Sequence, residues 1–163
     1  MYNKLLAVLL LTHTACSRPT VYIVRHAEKA TATGAMMQND VPLSAAGEQR
    51  AAKLASLLGK KGIQHIFSTP TIRTTTTAKP LSERSGVPVQ LYHPRDTVDQ
   101  FLKRVRAIQK GNVLIVGHSN TVDDLVNGLT GKQLLQDLPE TEYNNLFRLR
   151  KKGDSYRFTQ QKF

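Results

Sequence analysis

The sequence predicts an α/β fold in which a mainly parallel sheet lies between two layers of helices. Short runs rich in β-branched residues recur along the chain, and segments with apolar residues at helical spacing separate them. Glycines stand where several of these segments end. Strands that alternate with helices are typical of parallel sheets, because a crossover helix returns the chain to the same edge.

The first two elements follow from simple patterns. Val21 to Val24 is a β-branched run that leads into polar residues, so we predict a buried strand that opens into a site. From Ser44 to Leu58 apolar residues recur at helical intervals, with Ser44 as a cap and Gly59 as a stop. This segment is predicted to be an amphipathic helix.

The next two elements include one local conflict. Ile63 to Phe67 is predicted to be a strand, and Pro70 suits the first turn of a helix that runs through Ser85. The run Thr74 to Thr77 resists this assignment because threonine is a poor helix former. Tertiary contacts or a role in the site must therefore offset the local preference.

The second half of the chain repeats the alternation and ends in a hairpin. The predicted elements are a strand at Val87 to Leu91, a helix at Thr97 to Ile108, a strand at Val113 to Val116, a helix at Val122 to Leu129, and hairpin strands at Leu146 to Leu149 and Tyr156 to Thr159. At 163 residues, the chain is long enough for one domain with its own core.

The charge balance favours anionic partners. The chain has 23 Lys and Arg against 12 Asp and Glu, a formal net charge of +11. Phosphorylated substrates, nucleic acid and anionic lipid would all suit this surplus, but charge alone is the only feature in favour of nucleic acid. Much of the excess lies between Leu146 and Phe163, where a solvated basic face is the plainer interpretation.

The N-terminus has the layout of an export signal. Lys4 precedes the apolar run Leu5 to Leu11, and small residues surround Cys16 and Ser17. Cys16 resembles the acylated cysteine of bacterial lipoproteins. We therefore predict an export signal at residues 1–17, a domain at residues 18–163, membrane attachment through lipidated Cys16, and a location in the periplasm or cell envelope. Ordinary cleavage after Ser17 and an uncleaved first helix or strand are the alternatives.

Three predicted strand ends carry side chains suited to phosphoryl transfer. Arg25 and His26 follow the first strand, Arg73 follows the second, and His118 follows the fourth. Ligands collect at the carboxyl ends of parallel strands, so these residues are expected to converge. Arginines can bind the oxygens of a transferring phosphoryl group, and a neutral histidine can attack phosphorus. Once the signal is removed no cysteine remains, which excludes thiolate catalysis and Cys-ligated metal.

Three motifs resemble those of the histidine phosphatase superfamily, the branch that includes phosphoglycerate mutases and small phosphohistidine phosphatases. They are VYIVRHAEK, FSTPTIRTTTTA and VLIVGHSNTV, with Ala27 where the family signature has glycine. The resemblance implies a phosphoglycerate mutase-like fold with no cofactor or metal. It implies catalytic roles for His26 and His118 and phosphate-binding roles for Arg25, Arg73 and His118. We add Ser119, at the predicted helix start, as a further phosphate ligand.

The proton donor to the leaving group is the open position in this site. We predict Asp96, which follows the third strand in the loop YHPRD, with Glu28, Asp99 and Glu83 as alternatives. Asp96 could also favour the helix dipole as a residue at a helix N-terminus. The acid phosphatase and phytase branch carries its acid directly after the second histidine, where this chain has Ser119, so that branch is disfavoured.

The function predicted from these features is a metal-independent phosphatase that acts as a monomer on a small phosphomonoester or on a phosphoprotein. A phosphoglycerate mutase is one alternative, although no feature obviously holds both ends of a three-carbon substrate. A catalytically silent phosphate-binding module of the envelope is the other.

Overall fold

A computed structural model describes residues 18–31, 40–93, 98–153 and 155–163. Within these residues six strands and four helices follow one another: β1 (Thr20–Arg25), α1 (Ala45–Leu58), β2 (Ile63–Ser68), α2 (Ile72–Ser85), β3 (Val89–Leu91), α3 (Val98–Arg106), β4 (Asn112–Gly117), α4 (Val122–Thr130), β5 (Asn145–Lys152) and β6 (Ser155–Lys162). The predicted export signal with Cys16, and the predicted proton donor Asp96, lie outside the described residues.

The strands form one mixed sheet in the order β3-β2-β4-β1-β5-β6. The first four strands of this order are parallel, whereas β5 is antiparallel to β1 and forms a hairpin with β6. The prediction of a mainly parallel sheet with a terminal hairpin is confirmed. Because Arg25 of β1 pairs in register with Gly117 of β4, the residues that follow these two strands emerge side by side.

Each face of the sheet is covered by two helices. Val21 and Ile23 of β1 pack in the same cluster as buried residues of α3 and α4. Tyr22 and Val24, which point to the other face, pack with buried residues of α1 and α2. The predicted arrangement of helix, sheet and helix layers is therefore confirmed, and the catalytic candidates lie at the edge of a well-packed core.

The N-terminus of α1 is fixed against the segment that follows β1. The side-chain oxygen of Ser44 accepts a hydrogen bond of 3.2 Å from the backbone N–H of Gly47, as the predicted cap requires. A Cβ at Gly47 would collide with the carbonyl oxygen of Glu28. Glycine thus allows α1 to approach the chain two residues beyond His26.

Several boundaries differ from those expected. The strand β3 begins at Val89, because Gly86 ends α2 in the left-handed conformation and the carbonyl of Val87 still accepts a hydrogen bond from Ser82 Oγ. The terminal hairpin extends beyond the predicted apolar pairs as far as the pair Lys152 and Ser155. Its outer positions carry charged and polar residues that obscure the strand pattern in the sequence.

In the part of the chain that the structure describes, no helix combines the length and apolar character needed to cross a bilayer.

Candidate active site

The three strand ends converge on one open cavity of about 320 Å³ at the carboxyl edge of the sheet. The cavity is lined by Arg25, His26, Lys29, Arg73, His118, Ser119, Asn120, Thr121 and Glu140. The ring centroids of His26 and His118 are 5.5 Å apart. The structure thus brings together the side chains that the sequence places after β1, β2 and β4.

His26 is held in the form that a nucleophile requires. Its side chain is buried, and the backbone N–H donates to the carbonyl of Gly117 at 2.9 Å. Ring Nδ1 lies 2.8 Å from the carbonyl of Ala27, so Nδ1 carries the proton and Nε2 keeps its lone pair. Burial, aided by the nearby charges of Arg25 and Arg73, lowers the pKa of His26 to about 4. The ring is therefore neutral at neutral pH.

Ala27 is accommodated because its methyl group has its own packing partners. It is buried in a small cluster with Leu43 and Ala51. Its backbone N–H donates to Thr77 Oγ1 at 3.0 Å. The departure from glycine at this position therefore leaves the backbone beside His26 anchored to α2.

Arg25 is buried and held by the loop between α4 and β5. Nη1 donates to the carbonyl of Pro139 at 2.9 Å, and Nη2 lies 2.9 Å from Glu140 Oε2. The guanidinium also lies over the ring of Tyr143, with 4.2 Å between its central carbon and the ring centroid. These contacts fix the orientation of the guanidinium before any ligand binds.

Arg73 lies in the first turn of α2 and links two parts of the site. Its Nη2 is 3.3 Å from Nδ1 of His118, and its Nη1 is 3.5 Å from Asp40 Oδ1. The Asp40 carboxylate also accepts the backbone N–H of Ile72 at 2.9 Å, at the N-terminus of α2, where a negative charge is favourable. Asp40 therefore holds both the helix and the guanidinium.

His118 is oriented by hydrogen bonds at both ring nitrogens. Since Nδ1 accepts from Arg73, the proton is on Nε2, which donates to Thr69 Oγ1 at 2.8 Å. Thr69 in turn contacts Thr74 at 2.9 Å. Burial, together with the charges of Arg73 and Arg25, lowers the pKa of His118 to about 4. His118 is thus a neutral hydrogen-bond donor at neutral pH.

The threonine run of α2 contributes to the site, which resolves the local conflict in the sequence. Thr74 and Thr77 are buried. Thr74 supports the hydroxyl that orients His118, and Thr77 donates to the carbonyl of Arg73 at 2.7 Å while it accepts from Ala27. Tertiary hydrogen bonds therefore offset the weak helix propensity of this segment.

Ser119 lies between the second histidine and α4. Its hydroxyl donates to Glu140 Oε1 at 2.8 Å. The next residues turn into α4, and the backbone N–H of His118 donates to Thr121 Oγ1 at 2.9 Å. A Cβ at Gly117 would come within 2.9 Å of that same hydroxyl, so the close turn depends on glycine. The N-terminal end of α4 thus faces the cavity and favours an anion there.

None of the three alternative proton donors lines this cavity. Glu28 is bound through both oxygens to Arg50 Nε, at 2.9 and 2.8 Å, and this hydrogen bonding lowers its pKa. Glu83 is exposed and pairs with Lys79. Asp99 lines a separate cavity between α3 and α4. Asp96 lies outside the described residues, so its position remains a prediction.

Several contributing residues were not found from the sequence. Glu140 and Tyr143 come from the long connection between α4 and β5, and Asp40 comes from the connection between β1 and α1. These connections have no apolar period, so the sequence carried no signal for them. Thr69 could have been suspected from the threonine run, whose poor fit to a helix indicated tertiary contacts.

Within the described segments, no group of three or more His, Cys, Asp or Glu side chains is arranged to hold a metal ion.

This chain is similar to known proteins in sequence over part of its length and in fold over most of it. Residues 21–95 match the profile of the histidine phosphatase superfamily (branch 1). Over 71 residues the chain is 38% identical to the Probable phosphoglycerate mutase GpmB of Serratia proteamaculans, a match covering 42% of this chain and 33% of that protein. The matched stretch thus spans about a third of this curated relative.

Two solved structures share the fold. A protein histidine phosphatase SixA complexed with tungstate has a TM-score of 0.69 at 19% identity, over 88% of this chain and 96% of that one. A mycobacterial glucosyl-3-phosphoglycerate phosphatase bound to VO3 has a TM-score of 0.65 at 17% identity, over 89% of this chain and 98% of that one.

Proposed function

We propose that this chain, whose residues 21–95 match the histidine phosphatase superfamily (branch 1), hydrolyses phosphomonoesters, or a phosphorylated protein, through a phosphohistidine on His26. The observation that carries the proposal is the protonation and tautomer of the His26 ring. Its ring is buried and neutral, its proton is held on Nδ1 by a carbonyl, and two arginines and a second histidine share its cavity.

The reaction divides into two transfers. Nε2 of His26 attacks phosphorus, and the bond from phosphorus to the leaving oxygen breaks. Arg25 and Arg73 donate hydrogen bonds to the phosphoryl oxygens, where negative charge is spread during the transfer. His118 joins them when a phosphoryl oxygen replaces Thr69 Oγ1 as the acceptor of its Nε2–H. Water then attacks the phosphohistidine and releases inorganic phosphate. The carbonyl of Ala27 holds the ring while His26 carries the phosphoryl group, since this carbonyl accepts a hydrogen bond from Nδ1–H.

A phosphatase fits the cavity better than a mutase. A mutase must retain a substrate with a second anionic group while the phosphoryl group moves. Among the described residues that line the cavity, the cations are Arg25, Lys29 and Arg73. Two of these are needed for the transferring phosphoryl group, and Lys29 lies 3.6 Å from the carboxylate of Glu140. We therefore propose hydrolysis as the main reaction.

Purified full-length protein is expected to hydrolyse p-nitrophenyl phosphate in the presence of a metal chelator, because the proposed chemistry needs only side chains. The measurement is nitrophenolate release by absorbance. A parallel incubation with 3-phosphoglycerate should yield free phosphate and glycerate. Accumulation of 2-phosphoglycerate without phosphate release would instead identify a mutase, and no reaction with either compound would favour a silent phosphate-binding module.

We also propose that the domain is exported and held at a membrane by a lipid on Cys16. A basic group shares one surface depression near the start of the described chain: Arg18, Arg150, Lys151, Lys152 and Arg157. This depression lies beyond the amino end of β1, whereas the cavity lies at its carboxyl end, about 20 Å away for a strand of this length. Attachment at Cys16 would leave the cavity open, and the basic group would favour anionic lipid.

Replacing Cys16 with serine is expected to release the protein from the membrane fraction and to abolish incorporation of labelled palmitate, because the acylated thiol is lost. Ser17→Ala serves as the control and should retain the label. A wild-type protein that carries no label and begins at Arg18 would show ordinary signal cleavage and contradict lipidation.

A further inference from the structure

The carboxylate of Glu140 is bound to side chains of the cavity that could bind an anionic ligand. Oε2 is 2.9 Å from Nη2 of Arg25 and 3.6 Å from the Lys29 ammonium, and Oε1 accepts from Ser119 at 2.8 Å. Arg25 donates to the phosphoryl group in the proposed function, and Ser119 is a phosphate ligand predicted from the sequence. A bound phosphoryl group must therefore take these donors from Glu140.

Glu140 is also the one carboxylate among the described residues that line the cavity. Asp40, the other nearby acid, is committed to the N-terminus of α2 and to Arg73. The Glu140 side chain is 66% exposed, so it can swing aside without leaving the cavity mouth. Glu140 lies beside Ser119, the residue that follows His118 in the sequence.

We propose that Glu140, on the loop between α4 and β5, is the proton donor to the leaving group, an inference that rests on the proposed phosphatase function. In the first transfer, Nε2 of His26 forms a bond to phosphorus, and the bond to the ester oxygen breaks. The electron pair of that bond stays on the oxygen, which takes the proton of the Glu140 carboxyl group, and the product alcohol leaves.

The second transfer restores both groups. The Glu140 carboxylate accepts a proton from water as the water oxygen bonds to phosphorus. The bond between phosphorus and Nε2 breaks, and its electron pair returns to His26. Glu140 is thus protonated while phosphate is bound; when inorganic phosphate leaves, Glu140 returns a proton to solvent and binds Ser119 and Arg25 again. The Nδ1 proton of His26 stays on Nδ1 throughout, hydrogen-bonded to the Ala27 carbonyl.

Substrate binding supplies the protonation that this role requires. In the free protein the hydrogen bond from Ser119, and then the charges of Arg25 and Lys29, lower the pKa of Glu140. A bound phosphate ester accepts the hydrogen bonds of Ser119 and Arg25 in place of Glu140. It also places its own negative charge beside the Glu140 carboxylate. Both changes favour the neutral carboxyl group, so the pKa of Glu140 rises in the complex.

The test compares leaving groups. Nitrophenolate leaves as a stable anion, whereas the alkoxide of glycerol 2-phosphate needs a proton. Full-length Glu140→Gln is expected to lose about 10²- to 10³-fold in kcat/KM on glycerol 2-phosphate and less than about 10-fold on p-nitrophenyl phosphate. Its kcat for glycerol 2-phosphate should also lose the alkaline decline that a protonated acid produces.

Glu142→Gln is the matched control, since Glu142 lies on the same loop but its side chain contacts Asn145 and Lys162. It should retain both activities. An equal loss on the two substrates in Glu140→Gln would assign Glu140 to holding Arg25 and overturn the proposal. A selective loss on glycerol 2-phosphate in Asp96→Asn instead would also overturn it, in favour of Asp96. A wild-type protein inactive on both substrates would refute the proposed function itself.

Discussion

Replacing His26 with alanine is expected to reduce phosphatase turnover by about 10⁴-fold or more, because it removes the nucleophile of the first transfer. A water molecule in the space left by the imidazole could not form the covalent phosphoenzyme intermediate. Arg25, Arg73 and His118 would remain and could still bind phosphate. The expected signature is therefore a collapse of kcat while inorganic phosphate continues to inhibit or bind.

Two measurements check this expectation. Steady-state hydrolysis of p-nitrophenyl phosphate gives the loss of kcat. A denaturing alkaline quench of wild-type protein with labelled substrate should yield a phosphoenzyme that keeps its label in base and loses it in acid, as phosphohistidine does. That label should be missing from His26→Ala. His65→Ala is the control, since His65 contacts the carbonyl of Lys110 and stacks on Phe67, outside the cavity. Full turnover by His26→Ala, or a label carried elsewhere, would exclude the phosphohistidine.

The sequence predicted the fold because its periodic segments pack in the way their patterns require. The β-branched run Val21 to Val24 is buried on both faces, and helix α1 buries the apolar stripe that its spacing defines. Parallel order then placed the ends of β1, β2 and β4 at one edge. The positions of Arg25, His26 and His118 followed from this topology, because each directly ends or follows a strand.

The parts of the cavity that escaped prediction depend on contacts between distant segments. Arg25 meets the carbonyl of Pro139 across 114 positions of sequence, and the loop that makes this contact has neither helical nor strand periodicity. Glu140 and Tyr143 therefore resemble ordinary surface residues in the sequence. Their roles arise only when the chain returns from α4 past the strand ends to enter β5.

A segment whose residues disfavour its predicted helix also indicated the site, although it has no apolar pattern. The run Thr74 to Thr77 opposes the helix that contains it, and the structure offsets that cost with hydrogen bonds to Ala27 and Thr69. A segment that keeps unfavourable residues is often constrained by a site. The same reasoning marks Arg73, at the start of this run, as a residue whose exact position depends on tertiary contacts.

Substitution of Arg73 with lysine is expected to lower kcat/KM by about 10² to 10³-fold, although the positive charge is retained. The guanidinium contacts His118 through Nη2 and Asp40 through Nη1. These two contacts together fix the orientation of its plane. A lysine ammonium is a single point and cannot hold His118 while it offers two donors to a phosphoryl group. Inhibition by inorganic phosphate should weaken as well.

The control is Arg84→Lys, on the same helix and outside the cavity, where the guanidinium hydrogen-bonds to Ser56 at 3.4 Å. Both variants keep the net charge, so a general electrostatic effect of the basic surface would change them equally. If the activity of Arg73→Lys equals that of Arg84→Lys, the cation at position 73 acts by charge alone. A selective loss in Arg73→Lys would instead show that the orientation of His118 and the planar donors of Arg73 work as one unit. That outcome would explain why α2 tolerates four threonines to keep this arginine in place.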